Sequence, residues 1–258
     1  MKSKPSKEYR ERISALDNVV RHCITVSQKC AGIRSPTGAH FYASVLFTSL
    51  CTRGVSLAIL SPYSPWSKKI LEHWDYASIA GMTRSILEIR LAFFYLCAEV
   101  CPRDEWECRW NIFNLHDCTA RIRLFEEMPG GSSDITGFNV QVDELRDRLN
   151  KNPFFASLPE KDRKKFLQGG HAYLHSLEDI ATRAGVDVHT FRWLYKLLSS
   201  HVHGLPLSFY RMGEQERGRG VHSEVEEGYT KLCLSFAISL LVAARDEMER
   251  LFTGVKDA

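Results

Sequence analysis

Apolar residues along this chain recur at helical rather than strand spacing. Ile13, Leu16, Val19, Val20, Cys23 and Ile24 mark one face of an amphipathic helix over 7–30. Gly32 and Pro36 make 31–37 a turn, and a second helix runs from about His40 to Leu60 before Ser61-Pro62-Tyr63-Ser64-Pro65 breaks it. A long third helix is expected from Ser67 to about Val100. It is apolar on nearly every side (Ile70, Leu71, Trp74, Ile79, Ile86, Leu87, Leu91, Phe93), the pattern of a helix in the middle of a bundle. A fourth helix begins at Cys101-Pro102-Arg103-Asp104 and ends near Met128. Further helices are expected at about 139–151, 159–168, 171–184, 188–203 and 229–252, with Gly185 and Gly204-x-Pro206 as breaks. The charged, glycine-rich stretch Arg211 to Gly228 reads as a loop. No repeat, low-complexity tract or strand pattern appears. The expected fold is all-α, a multi-helix bundle around a long central apolar helix. It forms a single domain over 1–258, with Pro129-Gly130-Gly131-Ser132-Ser133 as a place where it could subdivide.

Composition narrows this only a little. The chain has 258 residues, 44% hydrophobic and 25% charged, and a net charge of +3. That length supports a sizeable core, and that charge carries no whole-chain signature of nucleic-acid binding, so any basic patch is local. The N-terminal stretch Met1–Arg12 is polar, with no apolar segment of signal-peptide type behind it. The uncharged run Leu232–Ala244 is too short to span a bilayer. The expectation is therefore a cytoplasmic protein without membrane insertion. Its eight cysteines are then reduced, mostly buried thiols. Cys97, Cys101, Cys108, His116 and Cys118 lack Cys-x-x-Cys spacing, and His171 with His175 lack the glutamate of a zincin helix, so no metal and no cofactor are expected.

Two constellations carry candidate chemistry. Arg84 and Glu88 are four residues apart in the central helix and share a face with Ala77, Ala80 and Gly81. They are either a structural ion pair or an anion-anchoring arginine held by a carboxylate that could also act as a base. In the helix at 188–203, Arg192, Tyr195, Ser199 and His203 stack on one side. His201 falls instead with Leu194, Leu197 and Leu198. His203, Glu88 and His201 are the candidate catalytic groups; Arg84, Tyr195, Ser199 and Arg192 are the candidate ligand-binding groups. Histidines at a helix C-terminus also have a plain structural use against the dipole. The segment 177–196 has helix-turn-helix character: Ala181 at the small position, Gly185 in the turn, Phe191 and Leu194 on the inner face. It would offer His189, Arg192, Trp193 and Lys196 to a DNA groove. Arg211, Arg217 and Arg219 could let the neighbouring loop close over a phosphate.

The pair Arg84-Ser85-Ile86-Leu87-Glu88 and Tyr195-x-x-x-Ser199-Ser200-His201-Val202-His203-Gly204 resembles an uncharacterised bacterial helical family of unknown function, over roughly residues 70–250. More loosely the design is similar to HEPN domains, helical bundles that often act as ribonucleases or toxins. Their motif is an arginine followed by four to six residues and then a histidine, whereas Arg192 precedes His201 by nine positions, so Arg84 would have to supply the arginine in space. The leading expectation is a polar pocket of Arg84, Glu88, Tyr195, Ser199 and His203 that binds or hydrolyses a nucleotide, RNA or another anion. A DNA-binding regulator and a non-catalytic scaffold, oligomeric through the Leu232–Leu251 helix, are the other readings.

Overall fold

The structure is a computed structural model, and it describes residues 4–129, 135–206, 208 and 218–255. Among these the fold is all-α with no strand, and one isolated bridge pairs Trp74 with Gly220. The helices are α1 Lys7–Cys30, α2 Gly38–Leu60, α3 Tyr76–Phe93, α4 Arg103–Glu127, α5 Ile135–Lys151, α6 Pro153–Ser157, α7 Glu160–Leu167, α8 Leu177–Arg183, α9 Val188–Val202 and α10 Glu224–Phe252. A π-helical turn, Phe94–Ala98, continues α3.

Polar caps set most of the starts. Ser6, Asp75, Asn152, Asp187 and Ser223 each accept a hydrogen bond from the backbone N–H three residues on, satisfying a donor that has no partner within the helix. These caps explain where the hydrophobic pattern misleads. The third helix begins at Tyr76, not Ser67, because Asp75 caps it and the Trp74 backbone N–H donates to the Gly220 carbonyl. Ile70 and Leu71 consequently lie exposed outside the core. The helix expected over 171–184 shrinks to Leu177–Arg183, since Ser176 and Asp179 cap each other reciprocally and start it late. The last helix starts at Glu224 rather than 229. Ser223 caps it, and the acidic first turn, Glu224, Glu226 and Glu227, suits the positive end of the helix dipole. Residues 224–228 are thus helical; 209–217, which hold the first part of the expected loop, and 130–134, which hold most of the expected linker, lie outside the described residues.

The chain divides into two compact units, one of residues 1–98 and 180–258, the other of 99–179, with the boundary inside α8. In the first, α3 packs against α10, α2 and α9, and α1 against α10 and α2. Phe47, Leu50, Ile86, Leu91, Leu234 and Leu241 are wholly buried there. Gly54 allows the close approach of α1 and α10 to α2: a Cβ at this position would stand 3.1 Å from Val20 and 3.4 Å from Leu241. α2 and α10 are long and apolar enough to cross a bilayer, with mean hydropathies of 1.6 and 1.3, a property core helices share. One buried ion pair joins α3 to α10, Arg90 Nη2 to Glu247 Oε1 at 2.5 Å. The second unit packs α4 against α5 and α6 around Cys108, Ile112, Leu115, Leu145, Leu149 and Phe155. Arg109, fully buried on α4, is held there by Glu99 and Glu105.

Candidate functional site

In the first unit, Gly81, Arg84, Ser85 and Glu88 recur at three- and four-residue intervals and form one stripe of α3. The stripe is partly exposed, unlike the buried Ile86, Leu87 and Arg90 beside it. Gly81 leaves room for α9: a Cβ there would be 3.7 Å from Val202. That close approach carries α9 alongside Arg84.

Arg84 is the hub. Its Nε donates to Glu88 Oε1 at 3.0 Å, its Nη2 to the Tyr195 hydroxyl at 3.2 Å, and its Nη1 lies 3.1 Å from His203 Nε2. The Tyr195 hydroxyl in turn donates to Glu88 Oε1 at 3.3 Å. The guanidinium carbon is also 4.9 Å from the centre of the Tyr195 ring. A guanidinium only donates, so His203 Nε2 accepts and the imidazole carries its proton on Nδ1. Arg84 is largely covered (14% of its side chain exposed) while Glu88 is 42% exposed and His203 faces solvent. Burial works against the charged form of Arg84, but the Glu88 hydrogen bond and charge, with Tyr195, outweigh it and hold the guanidinium above the ordinary arginine value.

A second cation belongs to the same stripe. Arg53 of α2 donates from Nε to Ser85 Oγ at 2.7 Å and from Nη1 to Ser49 Oγ at 2.6 Å. Among the described residues it meets hydroxyls and a carbonyl but no carboxylate. The sequence signal was present, because Ser49-x-x-x-Arg53 are one turn apart and Ser85 adjoins Arg84. What was missing was the pairing of α2 with α3, which no local pattern reveals. Arg53 therefore flanks the α3 stripe from α2, and Tyr195 and His203 flank it from the α9 side. Together they hold two arginines against one carboxylate.

The other candidates fall elsewhere. Ser199 is partly buried on the Tyr195 side of α9, and its hydroxyl donates to the Tyr195 carbonyl at 2.6 Å. His201 packs edge-on against Tyr76, 4.7 Å between ring centres, away from the Arg84 hub. Arg192 is exposed toward the start of α9, as are His189, Trp193 and Lys196, and the turn before α9 is closed by Gly185 at φ 79° and by Val186 N–H donating to the Ala181 carbonyl. Arg219 is exposed; Arg211 and Arg217 lie outside the described residues. Among the described residues no three His, Cys, Asp or Glu side chains gather as a metal site.

These features define an all-helical protein whose polar hub is an Arg-x-x-x-Glu turn read against a Tyr…His helix. The chain belongs to DUF5677, a family of unknown function, which it matches over residues 40–220. That span contains Arg53, Arg84, Glu88, Tyr195 and His203. No curated protein matches the chain, and no solved structure does.

Proposed function

We propose that the α3 stripe between α2 and α9 forms a shallow groove that binds a phosphate group of RNA or a nucleotide, with Arg84 and Arg53 as its anchors. The observation that carries this reading is the Arg84 hub. An arginine fixed by Glu88 and Tyr195 spends its remaining Nη1 on a solvent-facing, neutral histidine, a weak partner that an anion would replace. Arg53, held only by hydroxyls and a carbonyl, supplies a second charge without a protein counter-charge among the described residues. In a hydrolytic version, Arg84 turns to the phosphate and frees His203 Nε2 to take the proton of an RNA 2′-hydroxyl as that oxygen bonds to the adjacent phosphorus, while the P–O5′ bond breaks and the departing 5′-oxygen takes a proton from water. Glu88 then positions Arg84 rather than acting as a base. We place this activity in an intracellular, membrane-free setting, with α2 and α10 serving as core helices.

The test is fluorescence anisotropy with a short labelled RNA, competed by a mononucleotide and by inorganic phosphate, and a gel for cleavage. Losing one charge-assisted contact costs about 1.5–3 kcal/mol, so Arg84→Gln and Arg53→Gln should each weaken binding roughly 10- to 100-fold. His203→Asn should leave binding within a few-fold and abolish any cleavage. Unchanged RNA affinity in Arg84→Gln would end the proposal. A second reading, DNA binding, draws on the exposure of His189, Arg192, Trp193 and Lys196 along α9. It requires duplex DNA to outcompete RNA and Arg192→Ala with Lys196→Ala to remove that binding. The scaffold reading is the weaker one for α10, whose Leu234, Ala237, Leu241 and Ala244 are spent inside the first unit.

A further inference from the structure

The second unit holds a cavity of about 420 Å³ between α4, α5 and the start of α6, lined by Glu107, Trp110, Asn111, Arg148, Lys151 and Asn152. The volume falls in the range of small-molecule sites. Its lining is chemically divided. Trp110 offers an indole, continued along α4 by Trp106, whose ring is parallel within 4° at 6.1 Å. Asn111 is 91% buried on this wall (9% exposed), yet its carboxamide has no hydrogen bond to any described group. Its amide oxygen and nitrogen stay accessible from the cavity, so a ligand there can pair with both. Asn152 differs: its Nδ2 donates to the Asp104 carbonyl and its Oδ1 accepts from Phe155 N–H, so it is wall rather than contact. Glu107 stands on the α4 side, bonded to Arg103 at 2.8 Å. Arg148 and Lys151 stand on the α5 side, each tied to a carboxylate one turn back, Glu144 and Asp147. Those exposed pairs are weak and release their cations readily.

We propose that this cavity binds an adenine nucleotide. A carboxamide presents an adjacent acceptor and donor, which match the N6 and N7 edge of adenine. Trp110 gives the base an aromatic surface, Glu107 accepts from the ribose hydroxyls, and Arg148 with Lys151 meet the phosphate. The site lies within the second unit and does not depend on the groove on α3.

The experiment is a titration of the full chain with AMP, adenosine and inorganic phosphate, read by quenching of tryptophan fluorescence and by calorimetry. Expected is saturable AMP binding with quenching, adenosine at least tenfold weaker, and no quenching by phosphate. Asn111→Leu should weaken AMP at least tenfold. Asn111→Asp, which keeps the shape but cannot donate, should do the same and covers the case where the leucine variant fails to fold. Arg148→Ala with Lys151→Ala should bring AMP down to the adenosine level. The quenching by AMP should persist in Arg84→Gln, whereas any calorimetric heat from AMP or phosphate at the proposed RNA groove should be lost in that variant, which separates the two sites. Failure of AMP and adenosine to bind at millimolar concentration would overturn the proposal. So would AMP quenching indifferent to both Asn111 variants, or phosphate quenching at concentrations as low as AMP.

Discussion

Arg90 and Glu247 provide a sharp test of what holds the first unit together. The pair is nearly sealed from water, with 2% and 10% of the side chains exposed. Yet among the described residues Arg90 Nε and Nη1 and Glu247 Oε2 find no hydrogen-bond partner. Each such atom costs about 1–3 kcal/mol, hence roughly 3–9 kcal/mol for three. Against this stand an attraction of about 4 kcal/mol at an effective dielectric of 20 and the Phe94 ring 5.5 Å from the guanidinium. Burial raises the Glu247 carboxyl and lowers the Arg90 guanidinium despite their mutual attraction, so both groups report that desolvation wins. The pair should therefore contribute little net stability while each partner remains indispensable to the other. In a double-mutant cycle read by urea unfolding, Arg90→Met alone and Glu247→Leu alone should each cost about 3–5 kcal/mol. The double variant should be neutral or up to about 4 kcal/mol more stable than wild type. The sign with pH follows from the raised Glu247 value: its contribution is complete at low pH and lost as pH rises through the folded pKa. Arg90→Met should accordingly be less damaging near pH 5 than near pH 8. A double variant less stable than either single would refute the reasoning.

Further outcomes are equally specific. Gly169→Ala should cost roughly 2–5 kcal/mol in urea unfolding through backbone strain and overpacking, because Gly169 has φ 70° and a Cβ there would sit 2.5 Å from Thr119. Gly170→Ala, with open space around it, is the matched control and should be near neutral. Of the eight thiols, Cys23, Cys97, Cys108 and Cys233 are pushed up to about 12 and Cys51 to about 11 by burial. At pH 8 a thiol-disulfide reagent should therefore find about one fast thiol, Cys101, and all eight in denaturant; three or more fast thiols would contradict the packing. Burial disfavours the Glu227 carboxylate, but hydrogen bonds from Ser6 N–H and from His222 outweigh that and hold its pKa below the ordinary value. Its contribution is present above the unfolded value near 4.3 and is lost as pH falls through the folded one. Glu227→Gln should thus lose about 1–2 kcal/mol at pH 7, with the gap closing below about pH 4; a gap constant from pH 7 to pH 3 would oppose this.

The helices were legible wherever apolar spacing and capping agreed. α1, with Ile13, Leu16, Val19 and Val20 on one face, begins and ends as its sequence implies. They were misread where a polar residue overrode the pattern. Asp75 truncates α3, and Ile70 and Leu71, apolar and helically spaced, lie in solvent. Ser223 did the reverse, adding a turn to α10 that its glycine-rich prelude concealed. Of the polar hub, Arg84, Glu88, Tyr195 and His203 were visible as two helix faces, and helix packing brings those faces into contact. His201 was separable from them by its register with Leu194 and Leu198, and it does sit on Tyr76. Arg53 was not visible, because its place beside Ser85 depends on how α2 crosses α3, a long-range property. Asn111 likewise reads as one more polar residue on α4 until α5 and the start of α6 bring further polar groups beside it at an open cavity.

The most direct test of the proposed phosphate site observes His203 itself. In ¹⁵N-labelled protein, the imidazole should show the Nδ1–H tautomer with Nε2 accepting from Arg84. Titration with a short RNA should shift the His203 ring nitrogens, as Arg84 turns to the phosphate, while the His201 ring stays still. Arg84→Gln should remove the response. His203 resonances unmoved at saturating RNA, or a response that persists without Arg84, would contradict the account.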